Sequence, residues 1–545
     1  MALLIPTATA SATVLPATIS ANTTLTAAGS PYTGGAVKVE PGVTLKAEPG
    51  TQVIVGSLEV VGTLQAEGTA EAPIAFKSSS ELSTWGGVLF KAGSGGSVLD
   101  HVEVKRAGST SSSYAIKIEG SSPRITNSKI LDTTGWSIYT TGESAPEIAY
   151  NLIIGGRSVY FATGGKTLGI NFHDNWVEKQ WGSAAVFIEP SAGPVVATSL
   201  GDNVVTNNNA TVAIEYNGAP SNSEIPPDIG SNIVFGNTWI PSGNDVSFAG
   251  ALNKSATWEA PMTARLRLNG SLKVPSGVTL TMKPGVALLG GSLEVLGTLK
   301  AEGTAEAPVS FKPINEAGTW GGIVFKSGSS ASVLDHVELT RAGSTSNSYA
   351  VKIENSSPRI TNSTIRETTG YPLYTTGESA PEIADNLIIG GRSVYYATGG
   401  KTLGIDFHGN LVEKTTGSAA VFVEPSAGPV VATSLGGNVV TNNSATQAIY
   451  YNGGPSNSEV PSDIVNNVVF ANTGGSSSNQ IAFAGLWNKS ATWEPGLGVL
   501  RLEGILTVAG GSTLTMKPGI KLLAGSLKVQ GTLRAEGTAA NPVTF

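Results

Sequence analysis

The sequence predicts an all-β chain wound as a parallel β-helix, or β-solenoid, built from tandem modules of about 235 residues. Three observations predict it. Long blocks return at a fixed step. Inside each module, short β-forming phrases return every 20–30 residues. No run of helical period extends beyond two turns.

The long repeat sets the organisation. GSLEVVGTLQAEGTAEAPIAFK starts at Gly56, GSLEVLGTLKAEGTAEAPVSFK at Gly291 and GSLKVQGTLRAEGTAANPVTF at Gly525, steps of 235 and 234 residues. Between them SSPRITNSKI recurs as SSPRITNSTI, and TWGGVLF as TWGGIVF. The expected division is a linker or trimmed start at 1–18, a first module at 19–251, a second at 252–486 and the first part of a third at 487–545.

The short rhythm sets the coil. The phrases VLDHVEV, ITNSKI, IAYNLI, FHDNWV, LGDNVV and GSNIVF align His101, Ser128, Asn151, Asn175, Asn203 and Asn232, at spacings of 27, 23, 24, 28 and 29 residues. His336, Ser363, Asn386, Asn410, Asn438 and Asn467 repeat the spacings in the second module. Each phrase alternates apolar residues between Gly, Ser, Asn or Pro. Stacked coils would place these residues in one column, about 4.8 Å apart. Buried amides in such a column need each other as hydrogen-bond partners. The first block of each module is denser, with turns at Pro284-Gly285 and Pro518-Gly519 that suit smaller coils.

Composition agrees. Hydrophobic residues make up 40% and charged residues 13%, so the chain can bury a core and is not of disordered type. The net charge of -7 comes with no basic cluster, which disfavours nucleic acid. Cysteine is absent, which excludes disulfides and thiol chemistry. No apolar run approaches the roughly 20 residues of a membrane span. The opening MALLIP is too short for a signal sequence, so export is not read from the chain itself.

The blocks NTTLTAAGSPY, VKVEPGVTLKAEPGTQVIV, GTLQAEGTAEAPIAF and TWGGVLF with GSVLDHVEV resemble the bacterial and archaeal right-handed parallel β-helix surface proteins. The resemblance covers nearly the whole chain from about Ile19. It implies a right-handed coil and an extracellular or cell-surface location. The fold it implies serves adhesins, sheath proteins, phage tailspikes and polysaccharide lyases alike.

Candidate chemistry is sparse. The four histidines are two repeated positions: His101 and His336 beside an aspartate, and His173 and His408 in turns. Asp174 beside His173 becomes Gly409 in the second module, so an Asp-His metal pair would be lost there. Lyase-like bases would be Arg124, Arg157, Arg359 or Arg392, near Glu119, Asp132, Glu143 and Glu147, but these acids fall on separate coils. Calcium wants several converging oxygens, and no such cluster is indicated. The expectation is therefore no catalytic residue, no metal site and no cofactor.

Tryptophan is more informative. Trp85, Trp320, Trp258 and Trp493 repeat between modules and read as packing residues. Trp136, Trp176 and Trp181 become Tyr371, Leu411 and Thr416, so they are candidate contacts for a glycan or a surface protein. Several Asn-x-Ser/Thr sequons, Asn253 and Asn488 among them, are glycan acceptors only in an organism that uses them.

The expected function is a structural or adhesive extracellular β-helix that pairs with itself end to end or laterally. The alternatives are a polysaccharide lyase or hydrolase and a viral tail fibre.

Overall fold

The computed structural model describes residues 12–189, 193–217, 223–239, 241–260, 264–424, 428–453, 458–496 and 498–545. The chain forms a β-solenoid with three strands per coil, joined at three corners. Arg124–Thr126 lies on the first face, Lys129–Leu131 on the second and Trp136–Thr141 on the third. One coil on, Glu147–Ala149, Leu152–Gly156 and Val159–Ala162 pair with them in parallel.

The strands alternate because their side chains point inward and outward in turn. On the first face Leu99, Ile125, Ile148 and Phe172 stack in register. On the second face Ile130, Ile153, Val177, Val205 and Val234 do the same. All of these side chains are buried. Each buried Ile or Val stabilises by about 1.5–3 kcal/mol relative to exposure. The core is thus a bundle of aliphatic columns inside the coils.

The chain divides into two compact units, Met1–Lys254 with Met262–Gly270, and Ser255–Pro261 with Ser271–Phe545. In the first, the first-face sheet has eight strands, running from Thr23–Leu25 to Val195–Ser199. In the second, eight strands run from Ala256–Trp258 to Val430–Ser434. A further three-stranded sheet joins Ala491–Trp493, Thr513–Met516 and Thr532–Ala535. The expected third-module segment, 487–545, falls within the second unit.

One element departs from expectation. Residues 1–11 lie outside the described residues, but the rest of the expected linker already carries strand. Thr13 and Val14 pair in parallel with Tyr32 and Thr33, and Thr18 and Ile19 with Lys38 and Val39. Small β-branched residues beside an available strand edge can take the pairing without a strong apolar pattern.

The first corner turns on a single residue with positive φ: His101 at 49°, Asn127 at 50°, Tyr150 at 59°, Asp174 at 55° and Asp202 at 56°. In the second unit the equivalents are His336, Asn362, Asp385, Gly409 and Gly437. Asn, Asp and Gly suit this left-handed conformation, and a one-residue turn leaves no alternative to it.

Candidate functional site

The amide column follows that turn. The backbone N–H of Ser128 donates to Asn151 Oδ1 at 2.9 Å, that of Asn151 to Asn175 Oδ1 at 3.0 Å and that of Asn175 to Asn203 Oδ1 at 3.0 Å. Asn203 donates in turn to Asn232 Oδ1 at 3.2 Å. Each Nδ2 also reaches a main-chain carbonyl; Asn175 donates to Ile148 at 2.9 Å. Ser363, Asn386, Asn410, Asn438 and Asn467 form the same column in the second unit. All ten side chains are buried.

His101 and His336 do not belong to it. The parallel register pairs Asp100 with Thr126, which sets His101 opposite Asn127 on the turn. The column position of that coil is Val102, whose N–H donates to Ser128 Oγ at 3.0 Å. Val337 and Ser363 repeat this contact. Each histidine is one residue early and sits outside, within 3.4 Å of its neighbouring aspartate.

Two further columns escape the sequence reading. At the second corner the N–H of Gln180 donates to Asn208 Oδ1 at 2.8 Å, and that of Asn208 to Asn237 Oδ1 at 2.9 Å. Thr415, Asn443 and Asn472 repeat it. The signal was available: these residues lie five after Asn175, Asn203 and Asn232. At the third corner Ser94 and Ser121 share a 2.9 Å hydrogen bond, and Ser121 N–H donates to Ser144 Oγ at 3.1 Å.

Beyond these columns, candidate chemistry falls to the outer surface. The three tryptophans do not converge on one face. Trp136 lies on the third face, with the Arg157 guanidinium 5.1 Å above its ring. Trp176 is 40% exposed on the second face, and its indole N–H donates to Glu178 at 2.9 Å. Trp181 is exposed at the corner, where its backbone N–H donates to Gly156 O at 3.1 Å. Trp85, Trp258, Trp320 and Trp493 are buried in the stack.

The third face carries an aromatic column. Tyr139, Tyr160 and Phe187 follow one another in register below Lys117. Tyr139 and Tyr160 are parallel, 5.3 Å apart. The second unit has its own column, Tyr374, Tyr395, Phe422 and Tyr450. Beside it, Lys117 and Lys91 hydrogen-bond the Glu119 carboxylate and hold it below the usual carboxylate range. Burial pushes the Glu354 carboxyl up, but hydrogen bonds from Lys326 and Lys352 outweigh it and hold it below the usual range.

Beyond Glu103 and Lys129, the second face carries an apolar outward column. Leu152, Trp176, Val204 and Ile233 form one outward column, matched by Leu387, Leu411, Val439 and Val468. Ile233, Phe235 and Phe470 are each 45% exposed.

The lyase-like candidates have other contacts. Arg124 and Arg359 donate to Thr126 and Thr361 at 3.2 Å. Arg392 stacks on Tyr371 at 4.9 Å. His173 pairs with Asp174 at 2.8 Å, and His408 lies 3.7 Å from Asp406. Among the described residues no three acids or histidines are grouped to hold a metal, and no helix is long and apolar enough to cross a membrane.

No protein-family pattern matches the chain, and no characterised protein matches its sequence.

Proposed function

We propose that the chain is a non-catalytic structural or adhesive β-solenoid of the cell surface or extracellular space, making its contacts through the outward faces of its coils. The observation that carries this reading is the apolar outer column of the second face, present in both units. Sheets with one solvated face normally alternate apolar and polar residues. Here Trp176 and Ile233, and Leu411 and Val468, point outward from strands whose inner residues already fill the core. Contiguous exposed apolar surface of this kind marks contact sites in soluble proteins.

A second copy is the natural occupant, because columns with the same coil step match each other along their length. Such contact is lateral; stacking of coil ends is the other mode. The extracellular assignment is supported by the resemblance of the repeat blocks to β-helix surface proteins.

The test is sedimentation velocity over a wide concentration range, with the full chain and a variant carrying Trp176→Glu, Ile233→Glu, Leu411→Glu and Val468→Glu. The wild type should associate and the variant should remain monomeric. Electron microscopy would separate side-by-side from end-to-end contact. A wild type that stays monomeric throughout, and does not bind to cells, would defeat the reading.

A further inference from the structure

The third face offers a built groove that the apolar contacts leave free. In the second unit Asn347, Tyr349, Lys352, Tyr371 and Tyr374 line a shallow, open depression of about 290 Å³. This is at the small end of ligand pockets, roughly 300–1,000 Å³, and suits one or two rings. Its walls are pre-formed. Lys352 Nζ lies 5.3 Å from the Tyr349 ring centre and 5.8 Å from that of Tyr374. The Arg392 guanidinium rests on Tyr371 and donates to Asn347 Oδ1 at 3.1 Å.

The first unit repeats the arrangement. Lys117 lies 5.6 Å from the Tyr114 ring and 5.5 Å from that of Tyr139. Arg157 covers Trp136. These positions face outward, where neither the coil nor its core requires an aromatic residue.

The charge is unbalanced. Lys326 and Lys352 both pair with Glu354. Among the described residues, neither Arg157 nor Arg392 has a carboxylate within ion-pair distance. Arg392 Nη1 donates to Asn347 Oδ1 at 3.1 Å and to Ser346 O at 3.4 Å, which leaves the other N–H groups of the guanidinium for a planar anion.

Resting on the adhesive reading above, we propose that this aromatic–arginine groove binds an anionic saccharide, with a pyranose against the tyrosine or tryptophan rings and its carboxylate or sulfate on Arg157 or Arg392. A single-stranded nucleic acid would also use rings and cations. It needs a basic track along its phosphates, and the chain has no basic cluster.

The experiment is titration calorimetry on the full chain with four probes: an oligogalacturonate, a sulfated heparin oligosaccharide, a neutral cello-oligosaccharide and a thymidine oligonucleotide. One or both acidic saccharides should bind, more weakly as salt rises. Which one binds identifies the anionic group. The double variant Arg157→Ala with Arg392→Ala should weaken binding on the order of tenfold or more, with its circular dichroism unchanged. Equal binding of the neutral sugar, preference for the oligonucleotide, no binding at all, or a double variant that binds like wild type would each overturn the proposal. Shortening of the bound saccharide would instead defeat the non-catalytic reading and leave the binding site standing. Failure to bind would leave the self-association through the second face untouched.

Discussion

Replacing Asn175 by alanine tests whether the amide column holds the coils together. Its Oδ1 accepts from Asn151 N–H and Asn151 Nδ2, both at 3.0 Å. Its Nδ2 donates to Ile148 O and His173 O at 2.9 Å and to Asn203 Oδ1 at 3.1 Å. Alanine strands the buried Asn151 N–H and removes the side-chain donor from Ile148 O. Two buried groups at about 1–3 kcal/mol each give a loss of about 2–6 kcal/mol. Ser128→Ala, at the end of the column, strands the Val102 N–H and removes the side-chain donor from Thr126 O. Counted in the same way, it should cost about 2–6 kcal/mol. Trp176→Ala, exposed next door, should cost under about 1 kcal/mol. Guanidinium unfolding followed by circular dichroism gives the ranking. Hydrogen exchange of residues 147–156 should show faster opening in Asn175→Ala than in Trp176→Ala. If Asn175→Ala and Trp176→Ala lose the same stability, the column is not what binds one coil to the next.

Three further outcomes are expected. Glu119 has a lowered carboxyl pKa, from hydrogen bonds to Lys117 and then Lys91. Its contribution is therefore complete above the unfolded value near 4.5 and is lost as pH falls through the lower folded value. Thermal scans should find Glu119→Gln less stable than wild type at neutral pH, with the gap closing in acid. Glu215 is raised by burial, so its contribution has the opposite sign, full below about 4.5 and lost as pH rises through the higher folded value. Glu215→Gln should match or exceed wild-type stability at neutral pH, with the advantage gone in acid; a variant destabilised at neutral pH would contradict the burial argument. Tyr150 holds φ at 59° on the one-residue corner, where the second unit has Asp385. Tyr150→Asn should raise stability by up to about 1 kcal/mol in denaturant titrations, and a clear loss would mean that the Tyr150–His173 ring contact outweighs the backbone strain.

Much of the coil was legible because its cause is local. Alternating Val and Ile between Gly, Ser and Asn dictate strands, and the spacing of Asn151, Asn175, Asn203 and Asn232 needs only equal phase in successive coils. His101 stands one residue off the column because phrase similarity carries no hydrogen bond to fix the register. A one-residue slip exchanges the inner and outer sides of a strand. The Gln180–Asn208–Asn237 column was hidden by composition, since Asn is common in every loop of the chain. The tryptophans stood out as variable between modules, but sequence could not say that Trp136 and Trp176 occupy different faces.

The sequence by itself determined the β-solenoid class, the step between modules and which residues recur, because these follow from periodicity along one chain. Only the tertiary structure decided which positions share a column, which side chains face water, and that Arg157 and Arg392 lie on aromatic rings. Those relations join residues 20–30 positions apart through inter-coil register. Register is set by the sum of all the strand pairings, so no single phrase of the chain contains it.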